Sequence, residues 1–238
     1  MDYRKLYREK LISIEDAVAK VKSGDHIVTG LGCGGATAIL EEMVTRKKEL
    51  KDVVIHQMLP LYNYRYFQEG MEDSIRHNSW FNSPYTRKMV NDKRADFTPN
   101  FFHESPALFS NYHEINILIA AVSPMDRHGY FSFGLSVDYT KPVAEHADLV
   151  ILEVNQAMPR TLGDSFIHIS EVDYLVESDY PLPELPVSEP DEVELRIGEY
   201  VAELIEDGST LQLGIGGIPN AITASLTDKK DLGIHSEM

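Results

Sequence analysis

Cysteine is nearly absent: Cys33 is the only one in 238 residues. A lone thiol cannot build an internal disulfide framework, which suits a reducing compartment. Basic charge is also scarce. Lys and Arg number 22 against 38 Asp and Glu, a formal net charge of −16. Such a field repels a nucleic acid duplex, and no basic stretch is long enough to override it, so no nucleic-acid partner is expected. The short Arg46-Lys47-Lys48 run falls at the end of an expected helix, where it complements the helix dipole. Long apolar runs are missing too. The longest, Ile117–Val122, is far below the roughly 20 residues of a membrane helix, so no membrane partner is expected. The first residues carry charge with no apolar segment behind them, so no signal peptide is read and the expected location is the cytoplasm. The nine histidines include no HxH or HxxxH pair, and no metal site is expected. A Gly-x-x-x-x-Gly-Lys-Ser/Thr phosphate loop is also absent.

What remains is an ordinary globular composition, 43% hydrophobic, in which helix and strand signals alternate. That alternation argues an α/β fold. Ser13 can cap a helix with Ile14, Ala17, Val18 and Val21 on one face, closed by Gly24. A strand over 27–31, a helix over 36–48 and a strand over 53–58 follow. Residues 60–113, rich in aromatics and broken by Pro84, Pro99 and Pro106, read as mixed short elements. The runs 115–122 and 149–154 are near-continuously apolar, as expected of central strands covered on both faces. Residues 1–180 are assigned to an N-terminal α/β domain and the proline-rich 181–190 to a connector. Residues 191–238 begin a second domain or close the first. In that last part Ser188 is expected to cap a helix ending at Gly208, followed by a strand at 210–213, a helix opened by Pro219 and a strand at 232–235. The stretch from Gly24 to Gly32 echoes that from Gly208 to Gly216, through either duplication of a βα unit or chance.

Gly30-x-Gly32-x-x-Gly35 fits the dinucleotide fingerprint between a strand and a helix. The acid wanted about 20 residues later is absent, for Ile55-His56-Gln57-Met58 stand there, so a tight turn is the expected reading rather than NAD binding. His56 and His168 alternate with apolar residues and read as strand histidines. Cys33 has no charged neighbour to mark it as a nucleophile. A second glycine turn is Gly214-Ile215-Gly216-Gly217-Ile218, where a strand hands over to a helix. Without Cβ atoms its amides can approach a ligand, or the turn is simply structural. A branched residue at Gly216 would block such a ligand without unfolding the turn, provided the backbone there does not have positive φ. Glu237 follows a strand, at the edge where open α/β sheets bind ligands, although a terminal Glu is ordinarily just solvated.

Two longer patterns add to these: Ser123-Pro-Met-Asp-Arg-His-Gly129, and Asn155-Gln-Ala-Met-Pro-Arg-Thr161. With the 211–221 turn and Gly233-Ile-His-Ser-Glu-Met238 they resemble the acetyl-CoA hydrolase/transferase family, in its 4-hydroxybutyrate CoA-transferase branch, over residues 13–238. The resemblance implies tandem α/β domains with open mixed sheets, helices on both faces and an active site between the domains. It implies that Glu237 attacks an acyl-CoA thioester to give an acyl–glutamyl anhydride and then a glutamyl–CoA thioester. It also implies that Gly214, Ile215, Gly216, Gly217 and Ile218 form the coenzyme A loop. Coenzyme A is then a cosubstrate, with no tightly bound cofactor, and the partners are an acyl-CoA and a short carboxylic acid. A homo-oligomer is implied, as is a C-terminal domain that this chain does not carry, without which the 238 residues are expected to be inactive. Acyl-CoA hydrolysis and a non-catalytic ligand-binding role remain the alternatives.

Overall fold

The computed structural model describes residues 2–184 and 189–236. By its contacts the chain divides into two compact units, Met1–Pro183 and Glu184–Met238.

The first unit is built on seven strands: β1 (His26–Thr29), β2 (Val53–Met58), β3 (Ile75–Phe81), β4 (Asp96–Phe97), β5 (Ile117–Val122), β7 (Leu149–Asn155) and β9 (Tyr174–Ser178). Their order is β4-β3-β2-β1-β5-β7-β9, and every ladder in this sheet is parallel. The chain winds outward from β1 to β4, then returns to the other side of β1. The topological switch point therefore lies between β1 and β5. β6 (Tyr130–Ser132) and β8 (Phe166–His168) form a separate antiparallel pair.

Strand periodicity sends alternate residues into two cores. Ile117, Ile119 and Ile151 join Ala17, Ile39 and Val53 in one, whereas Leu118, Ala120, Val122 and Leu152 join Phe109, Phe131 and Tyr139 in the other. The helices follow this division. α2 (Ile14–Val18), α3 (Thr37–Glu42) and α4 (Pro84–Asn91) supply residues to the first core. α1 (Tyr3–Lys10), α5 (Ser105–Tyr112) and α6 (Thr140–Ala144) supply the second.

Ser13 does cap α2, accepting from the Asp16 amide. The helix expected over 36–48 is shorter, its second half a 3-10 turn at Met43–Arg46. Arg46 in that turn does more than face its own helix end. Its Nη1 donates to the carbonyls of Val18 and Val21, at 2.6 and 2.8 Å, and so closes the end of neighbouring α2. Residues 60–113 hold β3, β4, α4 and α5, and α4 is fixed by a Ser83–Thr86 capping box.

In the second unit α7 (Glu192–Glu203) is capped by Asp191, which accepts from the Glu194 amide while the Glu194 carboxylate accepts from Asp191 N. The residue expected in that role, Ser188, lies outside the described residues. β10 (Thr210–Leu211) pairs in parallel with β11 (Gly233–Ile234), and α8 (Gly217–Ala224) lies between them in sequence. α7 and α8 meet so closely that a Cβ at Gly198 would fall 2.8 Å from the Ala221 backbone.

Candidate functional site

The two glycine turns share a pattern and differ in their surroundings. At the first, a Cβ on Gly30 would sit 2.4 Å from Gly34 O, and one on Gly34 would sit 2.2 Å from the Ser136 side chain. One on Gly35 would sit 2.5 Å from Tyr64 Oη. The turn is held by Gln57 Nε2 donating to Gly30 O (3.0 Å), Leu31 N donating to Ser136 Oγ (2.9 Å) and Tyr139 Oη donating to Thr29 O (2.8 Å). Its glycines make room for the protein itself.

The amides of α3 beyond that turn are also occupied. Glu153, 1% exposed on β7, accepts from Ala38 N (3.3 Å) and Ile39 N (3.1 Å). Burial pushes its carboxyl up, and those two amides pull in the opposite direction. An internal carboxylate thus stands where a dinucleotide fold would place a pyrophosphate. This agrees with reading Gly30 to Gly35 as a tight turn.

The two long patterns fold against each other. Asp126 accepts from His128 N, Tyr130 N and Arg160 Nη2 (2.7 Å), which lowers its pKa despite a burial contribution in the other direction. Arg160 also lies over the Phe166 ring, and Thr161 Oγ1 donates to Gly134 O (2.9 Å). Gly134 has φ +62° and would meet Met158 Sδ at 2.4 Å if it had a Cβ. These residues order the loops beyond β5 and β7.

The histidines are equally local. The indole Nε1 of Trp80 can only donate, so its contact with His56 Nδ1 (3.2 Å) leaves the His56 proton on Nε2. Nε2 then donates to His26 Nδ1 (2.9 Å). Burial first, then the facing His26, His113 and His77, bring the His56 pKa down to about 3. His168 contacts Ser170 Oγ (2.7 Å). Cys33 donates to Pro183 O, and burial raises its pKa. Among the described residues no three His, Cys, Asp or Glu side chains are placed to hold a metal, and no helix is long and apolar enough to cross a membrane.

Among the described residues, the second glycine turn is open at Gly214 and Gly216. There a Cβ on Gly214 would meet only Pro219 Cγ, at 3.6 Å, and one on Gly216 only Pro219 Cδ, at 3.9 Å. Gly216 has φ +127° and precedes α8 as an N-cap without a side-chain hydrogen bond. The proviso attached to Gly216 therefore fails, and Gly214 is the position at which added bulk leaves the backbone unstrained. Gly217 is different again: its missing Cβ makes room for the Glu194 carboxylate, at 1.9 Å. Ile215 and Ile218 are exposed, at 55% and 40%.

Beside this turn runs the end of β11. His235 N donates to Leu211 O (2.9 Å), and Ser236 Oγ accepts from Leu213 N (3.1 Å) and donates to Leu213 O (2.8 Å). Leu213 immediately precedes Gly214. The strand leading to Glu237 and the turn containing Gly214, Ile215, Gly216, Gly217 and Ile218 are thus brought together, while Glu237 itself lies outside the described residues. Motif reading did not single out Ser236. Its hydroxyl next to an expected nucleophile was the available signal.

Relatives extend the picture. The chain is 47% identical over 239 residues to the 4-hydroxybutyrate coenzyme A transferase of Clostridium kluyveri, covering all of this chain and 56% of that protein. It is 45% identical over 236 residues to the succinyl-CoA:cyclohexane-1-carboxylate CoA transferase of Geobacter metallireducens, covering 99% of this chain and 54% of the relative. Among solved structures, RipA from Yersinia pestis superposes with a TM-score of 0.92 at 34% identity, covering 99% of this chain and 58% of that one. The chain thus spans little more than half the length of these relatives. The model of the acetyl-CoA hydrolase/transferase N-terminal domain matches residues 1–186. On that match, this chain belongs to the acetyl-CoA hydrolase/transferase family.

Proposed function

We propose that this chain is the nucleophile-bearing part of an acyl-CoA:carboxylate CoA-transferase acting on short acids such as 4-hydroxybutyrate, butyrate or acetate. The observation that supports it is the parallel β10–β11 pairing, which ties the residue before Glu237 to the residue before an open glycine turn.

A Glu237 carboxylate oxygen attacks the thioester carbonyl carbon of the acyl-CoA. The C–S bond breaks, the electron pair leaves with the coenzyme A thiolate, and an acyl–glutamyl anhydride forms. The thiolate then attacks the glutamyl carbonyl, releasing the acyl group as its carboxylate and leaving coenzyme A on Glu237 as a thioester. An acceptor carboxylate reverses both steps and leaves as the new acyl-CoA. A carboxylate is a weak nucleophile, so the rate depends on holding it against the thioester and on donors for the developing oxyanion. The Gly214 to Ile218 turn serves the first need, because backbone without Cβ atoms can lie against the coenzyme.

The test is exchange of coenzyme A between butyryl-CoA and acetate by the full-length protein. Glu237→Ala should abolish exchange and keep coenzyme A binding. A Glu237→Ala protein that still exchanges would refute the proposal, and release of free coenzyme A without transfer would make the protein a hydrolase.

A further inference from the structure

We infer that Ser236 is a positioning residue, one that sets the distance between the nucleophile's strand and the coenzyme A turn. This rests on the reading of Glu237 and the 214–218 turn given above.

The register of the pair carries the argument. Thr210 lies opposite Gly233 and Leu211 opposite Ile234, and the His235 amide still follows this ladder by donating to Leu211 O. One step further, a parallel ladder would send Leu213 N to the His235 carbonyl. It goes to Ser236 Oγ instead, and the same hydroxyl donates to Leu213 O. Beyond the last main-chain bond among the described residues, one side chain bonds both polar groups of Leu213. That is a short, two-point tether between the last described residue before Glu237 and the first residue before Gly214.

Covalent geometry extends the tether in both directions. Consecutive Cα atoms are about 3.8 Å apart, so fixing Ser236 and Leu213 against each other fixes the origins of the nucleophile and of the turn. Few side chains can do this. The group must both donate and accept at one atom, one bond beyond Cβ, which limits it to the hydroxyl of Ser or Thr. Alanine would leave the ladder from Thr210 to His235 in place and remove the hydroxyl's bonds to Leu213. The proposed role of Ser236 is exerted through Glu237 and through the turn.

The experiment compares Ser236→Ala, Ser236→Thr and Glu237→Ala in the full-length protein, measuring kcat, KM for acyl-CoA and coenzyme A affinity, with thermal unfolding of each. Misplacement of a reacting group by about 1 Å can cost on the order of 100-fold, so Ser236→Ala should lose roughly 10- to 100-fold in kcat while KM changes by no more than about threefold. Ser236→Thr, keeping the oxygen, should recover most of kcat. If Glu237→Ala is inactive but Ser236→Ala keeps its kcat, or Ser236→Thr is no better than alanine, the positioning role is wrong and the nucleophile assignment stands. A Glu237→Ala protein with full exchange overturns both.

Discussion

Two alanine substitutions test the proposal that one glycine turn serves packing and the other a ligand. At Gly34 an added Cβ would lie 2.2 Å from Ser136 Cβ and 2.7 Å from its Oγ. Ordinary carbon contacts are about 3.5–4.0 Å, so Ser136 or the turn must move by more than 1 Å. Ser136 is itself pinned by Leu31 N and by Thr140 Oγ1 at 2.8 Å. Overpacking of that kind costs about 1–3 kcal/mol, which shifts the unfolding midpoint but leaves coenzyme A affinity of the folded protein alone. At Gly214 the same methyl meets, among the described residues, only Pro219 Cγ at 3.6 Å. The fold loses nothing, and restriction of the unfolded chain could add a few tenths of a kcal/mol. If coenzyme A lies against this backbone, the methyl displaces it. Losing one hydrogen bond to a charged group costs about 1.5–3 kcal/mol, or roughly 10- to 150-fold in Kd. Thermal unfolding and titration calorimetry with coenzyme A on the full-length protein give the two readouts. An unchanged Kd for Gly214→Ala, or a weakened one for Gly34→Ala, would refute the assignment of roles.

Further expectations concern the groups buried in the first unit. The His56 pKa is about 3 when folded and about 6.5 when unfolded, so between those values the unfolded chain binds more protons. The contribution of His56 to stability should therefore be level above pH 6.5 and fall as pH drops towards 3. His56→Gln should reduce that slope by about 1.4 kcal/mol per pH unit in denaturant titrations, and an unaltered slope would contradict the assignment. Glu153→Ala strands the buried amides of Ala38 and Ile39, with an expected loss of about 1–3 kcal/mol for each amide left unpaired. A Glu153→Ala protein as stable as the parent in the same titrations would show that those amides find other partners. Asp191→Ala should cost about 1 kcal/mol by removing the α7 cap, read as faster amide exchange in the first turn of that helix; unchanged exchange would dismiss the cap's role.

The parts of the fold that depend on local chemistry were legible. β2 falls over 53–58 as read, and β5 and β7 are the near-continuous apolar runs, because strands covered on both faces need mostly hydrophobic residues. β3 escaped notice because His77, Asn78 and Ser79 are buried in it, which conceals a central strand behind polar letters. α1 shows Tyr3, Leu6, Tyr7 and Lys10 at helical spacing, but its charged residues drew attention to targeting instead. The α7 cap could have been located by the Asp191–Glu194 capping box, a stronger signal than Ser188 alone. The two glycine turns could not be told apart by composition. What separates them is Ser136, Tyr64 and Gln57 against the first and, among the described residues, open space at Gly214 and Gly216 in the second, all supplied by tertiary structure. Glu153 at the α3 amides is likewise a long-range contact that no local pattern announces.

Glu237 is proposed to carry coenzyme A covalently, and trapping that adduct puts the proposal to the test. The full-length protein is incubated with butyryl-CoA without acceptor, treated with borohydride and digested, and the peptide spanning Gly233 to Met238 is mapped by mass. Glu237 should be recovered as an alcohol, because borohydride reduces a thioester and leaves free carboxylates unchanged. No such product should form in Glu237→Ala. A reduced residue mapped to any other carboxylate, with Glu237 intact, would contradict the proposal.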